Sequence, residues 1–94
     1  MGMSETDLHA SHDAVTKRLK RASGHLQNVI TMLTDDRPCL DVAQQLHAVE
    51  RAIAAAKKQL IHDHIDHCLD HAVGEPAKST RQALSEFKAI TKYL

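Results

Sequence analysis

The sequence predicts an all-α protomer of three helices with a long central one, and three observations carry that prediction. Composition is the first: among 94 residues there is no Trp, one Phe and one Tyr. The remaining apolar residues are mostly Leu, Ile, Val and Ala, a mixture that favours helices over strands. Helical periodicity is the second, since apolar residues recur at helical spacing through long segments. The third is that turn signals gather in two places, around Pro38 and around Gly74 and Pro76.

Residues 1–11 are polar and read as a flexible, His-containing N-terminal arm. Ser11 suits an N-cap, with Asp13 in the first turn. Val15, Leu19, Ala22, Leu26, Val29 and Leu33 then repeat in alternating steps of four and three, a single helical stripe. Thr34-Asp35-Asp36-Arg37-Pro38 ends it, because Pro38 disfavours helical geometry at Arg37 and suits the start of a new helix. Leu40, Ala43, Leu46, Val49, Ile53, Ala56 and Leu60 keep helical spacing, and nothing interrupts before Gly74. A helix that long reads as the spine of a bundle or coiled coil. Ala52, Ala54, Ala55 and Ala56, near its middle, let a second helix come close. Gly74, Pro76 and Ser79 mark a turn, and Ala83, Leu84, Phe87, Ile90 and Leu94 form a short third helix. Residues 12–94 make one helical domain, and a chain of this size gains stability by oligomerising.

The chemistry concentrates in Cys39, His64 and Cys68. Two thiolates and an imidazole suit a transition-metal ion such as Cu(I), Zn(II) or Ni(II). His64 and Cys68 stand at i and i+4 on one helical face. Cys39 stands at a helix N-terminus, where the macrodipole favours a thiolate. On one continuous helix, however, Cys39 and His64 are about 37 Å apart. A centre using all three therefore draws Cys39 from one subunit and His64 with Cys68 from another. An antiparallel copy crossing near Ile53 meets that requirement, so the pattern predicts a homodimer together with a metal. His9 and His12, in and beside the arm, are candidate additional nitrogen ligands. His62, His67 and His71 lie among Asp63, Asp66 and Asp70 and read as a solvated face, while His25 and His47 read as structural or surface residues.

Twelve basic and twelve acidic residues cancel, which argues against a general polyanion binder while leaving local patches open. One such patch is Lys17, Arg18, Lys20 and Arg21, and Lys57 and Lys58 form a second; both are candidates for DNA phosphate contacts. There is no helix-turn-helix, zinc-finger or basic-zipper pattern. No acid–base or nucleophile constellation stands out, so an enzyme is not expected. With no signal peptide or membrane-spanning run, and two cysteines too far apart to bridge, the expected compartment is a reducing cytoplasm.

The runs RLKRASGHLQNVITML, RPCLDVAQQLHAVERAI and LIHDHIDHC together resemble the CsoR/RcnR/FrmR family of bacterial transcriptional repressors, from His12 to Leu94. The resemblance implies a disc-like homotetramer built from two dimers, which binds operator DNA without inducer and releases it when inducer binds. It implies that Cys39, His64 and Cys68 are the metal ligands and that Arg18 and Arg21 contact DNA. It also implies that Glu86 is an acidic residue coupling metal binding to DNA release. Cu(I) is the first expectation for the metal and Ni(II) the second. Two departures bear on this choice. Pro38 stands where the copper sensors usually carry Tyr, and Ala55 stands where some of them carry Arg, so that Lys57 and Lys58 would substitute. The Arg-Pro-Cys sequence and the histidine-bearing arm are closer to the nickel-sensing members, which makes a nickel or cobalt sensor the alternative. A formaldehyde- or persulfide-sensing repressor reacting at Cys39 is a further alternative, though Cys68 and His64 respectively count against those two. A metal-storage or metal-chaperone protein without a DNA role completes the set.

Overall fold

The structure, a computed structural model, describes the backbone of residues 5–72 and 77–94 and the side chains of residues 12–67 and 81–94. The prediction of an all-α chain holds: the elements are α1 (Glu5–Thr34), α2 (Cys39–Ala72) and α3 (Ala77–Thr91). Among the described residues there is no strand. α1 and α2 pack as an antiparallel hairpin, and among the described residues α3 packs on α2 and not on α1. The molecule measures 59 × 24 × 17 Å, too thin to enclose the apolar surface of its two long helices.

The core of the hairpin is Val29, Val42 and Val49, with Met32 packed against them. Steps of seven extend it: Val15, Ala22 and Val29 are buried on α1, and Val42, Val49 and Ala56 on α2. Seven residues are nearly two helical turns, so each set forms one line along its helix. The single stripe expected on α1 thus divides into two. Leu19, Leu26 and Leu33 each follow a buried position by four residues but lie beside that line on the surface, and all three are exposed, Leu33 by 59%. On α2 the parallel line Leu46, Ile53 and Leu60 is likewise exposed. A two-helix hairpin covers only one edge of each apolar face. The alanines of α2 serve this hairpin first: Ala56 is fully buried and Ala52 half-buried, whereas Ala54 and Ala55 stay exposed.

α1 begins at Glu5, earlier than the expected cap at Ser11. Residues 5–11, expected in the arm, are helical in backbone. At the other end, Asp36 adopts a left-handed φ of 55°. The Asp36 N–H donates to the Leu33 carbonyl at 3.2 Å, and the Arg37 N–H donates to the Met32 carbonyl at 3.0 Å. These two bonds form a Schellman motif with Asp at the position glycine usually fills. Asp36 carries both the left-handed penalty and a negative charge at the negative end of α1. Asp36→Gly is expected to stabilise the fold by about 0.5–1 kcal/mol, read as a higher melting temperature.

Pro38 behaves as expected. Its carbonyl accepts the Val42 N–H at 3.1 Å, the first bond of α2, so that Cys39 is the first residue of that helix. The expected turn at Gly74 and Pro76 lies outside the described residues. Ser79, expected in that turn, is in the first turn of α3. On α3, Ala83 is buried and Phe87 and Ile90 are half-buried, while Leu84 and Leu94 are exposed.

Candidate metal centre and nucleic-acid interface

The unbroken α2 carries Cys39 at its first position and His64 in its second half. At about 1.5 Å per residue they are about 37 Å apart, so no intrachain centre contains both. They share a face. Cys39, Leu46, Ile53 and Leu60 follow at intervals of seven, and His64 lies one turn beyond Leu60, so the exposed apolar line of α2 has a candidate ligand at each end. The Cys39 thiol is free and exposed. His64 is half-buried, with its Nε2 3.9 Å from the Glu86 Oε2 of α3. That carboxylate lies on the Nε2 side of the ring. Cys68 follows His64 by one turn of α2, and its side chain lies outside the described residues. Among the described residues no three metal-binding side chains gather in one place.

The register of the hairpin locates the other histidines. His25 Nε2 and Gln45 Oε1 are 2.7 Å apart, a hydrogen bond that ties α1 to α2. His12 and Lys58 are equally far along the chain from this bond in opposite directions, so His12 stands at the His64 end of α2. His12 is exposed, and its backbone carbonyl accepts the Thr16 hydroxyl at 2.7 Å. The side chain of His9 lies outside the described residues.

The expected DNA-binding cations do not form one patch. Arg18, Arg21 and His25 line an open depression of about 270 Å³ between the two helices, over Ala22 and Ala52. Arg18 also borders a second depression of about 340 Å³, with Ala55, Lys58, Gln59 and His62. Arg18, Arg21 and Lys58 therefore share one basic groove along the α1–α2 seam, and small Ala52 and Ala55 keep it open. Lys17 and Lys20 are exposed on the outer side of α1. Lys57 instead flanks an apolar cleft lined by Ala54, Ile61 and Leu94, with Lys58 on its rim. Sequence reasoning missed His25 and His62 as groove residues. His62 is one turn after Lys58, which was the available signal for it. The position of His25 depends on its long-range bond to Gln45. No acidic residue occurs between Asp13 and Asp35, so the middle of α1 is uniformly positive.

A free thiol and a histidine beside a carboxylate stand at the ends of an exposed apolar line, and a cationic groove runs along the α1–α2 seam. The model of the metal-sensitive transcriptional repressor family matches residues 11–93. The chain belongs to that family. Members of the metal-sensitive transcriptional repressor family regulate transcription and are not enzymes. The chain is 34% identical over 82 residues to a copper-sensing transcriptional repressor, CsoR, of Bacillus subtilis, covering 85% of this chain and 81% of that one. It is 32% identical over 77 residues to the copper-sensing repressor RicR of Mycobacterium tuberculosis, covering 82% and 80%. A CsoR of Mycobacterium ulcerans is 42% identical over 60 residues, which cover 64% of this chain and 51% of that one. No solved structure matches the chain. Among the described residues of this family member, no helix is long and apolar enough to cross a membrane.

Proposed function

We propose that this chain is a Cu(I)-responsive repressor. In this reading it holds operator DNA through Arg18, Arg21, Lys58 and the neighbouring lysines, and releases it when metal joins Cys39 of one protomer to His64 and Cys68 of another. The observation that carries this reading is the placement of Cys39 and His64 at opposite ends of the exposed Leu46–Ile53–Leu60 line. Two α2 helices crossing antiparallel near Ile53 bury that line and bring each Cys39 to the other helix's His64 and Cys68. Leu19, Leu26 and Leu33 on α1 remain to be covered as well, which favours the disc-like tetramer over an isolated dimer.

The donor set fits the ion: two thiolates with an imidazole suit soft Cu(I). The names of the relatives favour the same metal. Glu86 orients His64 and connects it to α3, because it stands beside Nε2 on a different helix. Tethering both ends of α2 to its partner changes how the two hairpins sit, and with them the spacing of the basic grooves. By reciprocity, DNA lowers the affinity for metal by the same factor.

A second reading has one observation of its own. His12 stands at the His64 end of the hairpin, where an additional nitrogen ligand would favour Ni(II) or Co(II). Anaerobic titration of the reduced protein with Cu(I) and with Ni(II), followed by fluorescence anisotropy of labelled operator DNA, separates the two. Cu(I) is expected to weaken DNA binding. If neither metal does so, the sensor reading fails. If only Ni(II) acts, and His12→Ala removes its effect, the nickel reading replaces the copper one. In the same assay Glu86→Ala is expected to keep metal binding and to shrink the metal-dependent loss of DNA affinity, from a coupling of about 1–3 kcal/mol towards zero.

A further inference from the structure

Gly24 lies near the middle of α1, where glycine is a poor helix former, and it is exposed. Among the described residues nothing accounts for it: a Cβ built there has no atom within 4 Å. Helical spacing places Gly24 on the side of α1 opposite Val15, Ala22 and Val29. Lys17, Lys20 and Asn28 share that outer side, at seven, four and four residues from Gly24, and Arg21, three residues away and also lining the α1–α2 groove, stands at its edge. The three cations are exposed, and neither the Arg37–Asp41 nor the His64–Glu86 ion pair involves them. No large apolar residue lies on this side, because the exposed Leu19, Leu26 and Leu33 line runs along one flank of the core.

We infer that Gly24 is where the sugar–phosphate backbone of duplex DNA passes closest over α1, with Lys17, Lys20 and Arg21 holding phosphates around it and Asn28 donating beyond. The inference rests on the DNA-binding reading and extends it from the groove to the outer side of α1. The missing Cβ lets the polyanion approach the helix closely, which brings short-range phosphate contacts within reach. Charge selects the occupant. In a symmetric contact the same face meets itself, so two copies would oppose Lys17, Lys20 and Arg21 to their own equivalents with no acid to neutralise them. A polyanion meets no such repulsion.

The test uses the full chain without metal, and a fluorescent random-sequence duplex of about 30 base pairs at low salt, because phosphate contacts are independent of sequence. Wild type, Gly24→Ala and Arg21→Ala are compared by anisotropy, thermal melting and sedimentation. Gly24→Ala is expected to melt about 4 °C higher, since alanine is the better helix former. It is also expected to keep its oligomeric state and bind the duplex at least about tenfold more weakly. A variant more stable than wild type yet weaker on DNA cannot owe its loss to misfolding. Unchanged duplex affinity in Gly24→Ala overturns the inference, and if Arg21→Ala still weakens binding, the DNA reading survives that result. A changed oligomeric state in Gly24→Ala overturns it too, by assigning the face to a second copy. A wild-type chain that ignores the duplex overturns both readings together.

Discussion

Cys39→Ala and His64→Ala variants, each unable to hold the metal alone, are expected to recover it when mixed. Each single variant should lose more than about 100-fold in Cu(I) affinity, beyond what removing an outer partner of a ligand costs. In a mixed dimer, one site combines the intact Cys39 of the His64→Ala chain with the intact His64 and Cys68 of the Cys39→Ala chain. The other site lacks both residues. Random pairing after co-refolding therefore restores about a quarter of the wild-type capacity, because half the dimers are mixed and each has one good site. Equilibrium dialysis against a competing Cu(I) chelator reads this directly. The expectation follows from the unbroken α2: a site within one chain would need its two ends to meet. If the mixture binds no more metal than either variant alone, the shared site is wrong, whatever the metal.

The same helix shows how far the sequence could be read. Continuous helical spacing from Leu40 to Leu60, with no breaker before Gly74, was enough to predict a long α2 and hence the separation of Cys39 from His64. The partition of apolar residues was not legible. Val15, Leu19, Ala22, Leu26, Val29 and Leu33 look equivalent in the sequence, because burial against α1's own partner helix and burial against another molecule impose the same periodicity. Only the hairpin register distinguishes them, and that register depends on contacts between distant residues such as Val29 with Val42 and His25 with Gln45. The basic residues behave similarly. A rotation of 100° per residue separates Arg18 from Lys17 and Lys20 on a helical wheel. That Lys58 and His62 join Arg18 from the other helix follows only from the packing. Ser11 looks like a plausible cap inside a polar segment, yet the described helix already includes residues 5–11. The left-handed residue at Asp36 was hidden because the position lacks the usual glycine.

Ile53→Asp is expected to dissociate the chain and to abolish metal binding without touching a ligand. In the protomer Ile53 is 45% exposed, so a carboxylate there meets water and the hairpin should keep its helicity by circular dichroism. In an antiparallel α2 pair the residue lies near the twofold axis, and each dimer contains it twice. The substitution then buries two like charges close together in the most apolar part of the interface, between Leu46 of one helix and Leu60 of the other. Burial of unpaired charge is costly enough for the dissociation constant to rise by more than about a thousandfold, or about 4 kcal/mol. Sedimentation equilibrium measures it. Cys39, His64 and Cys68 all remain in the variant, so a centre built within one chain would still fill, whereas a centre shared across the pair must empty as the pair separates. Raising the protein concentration should restore both together, because assembly and metal binding are then one equilibrium, and Cu(I) itself should shift the variant back towards the dimer. Metal binding that persists in the monomer would show that Ile53 and the ligands, although on one face of α2, serve different partners.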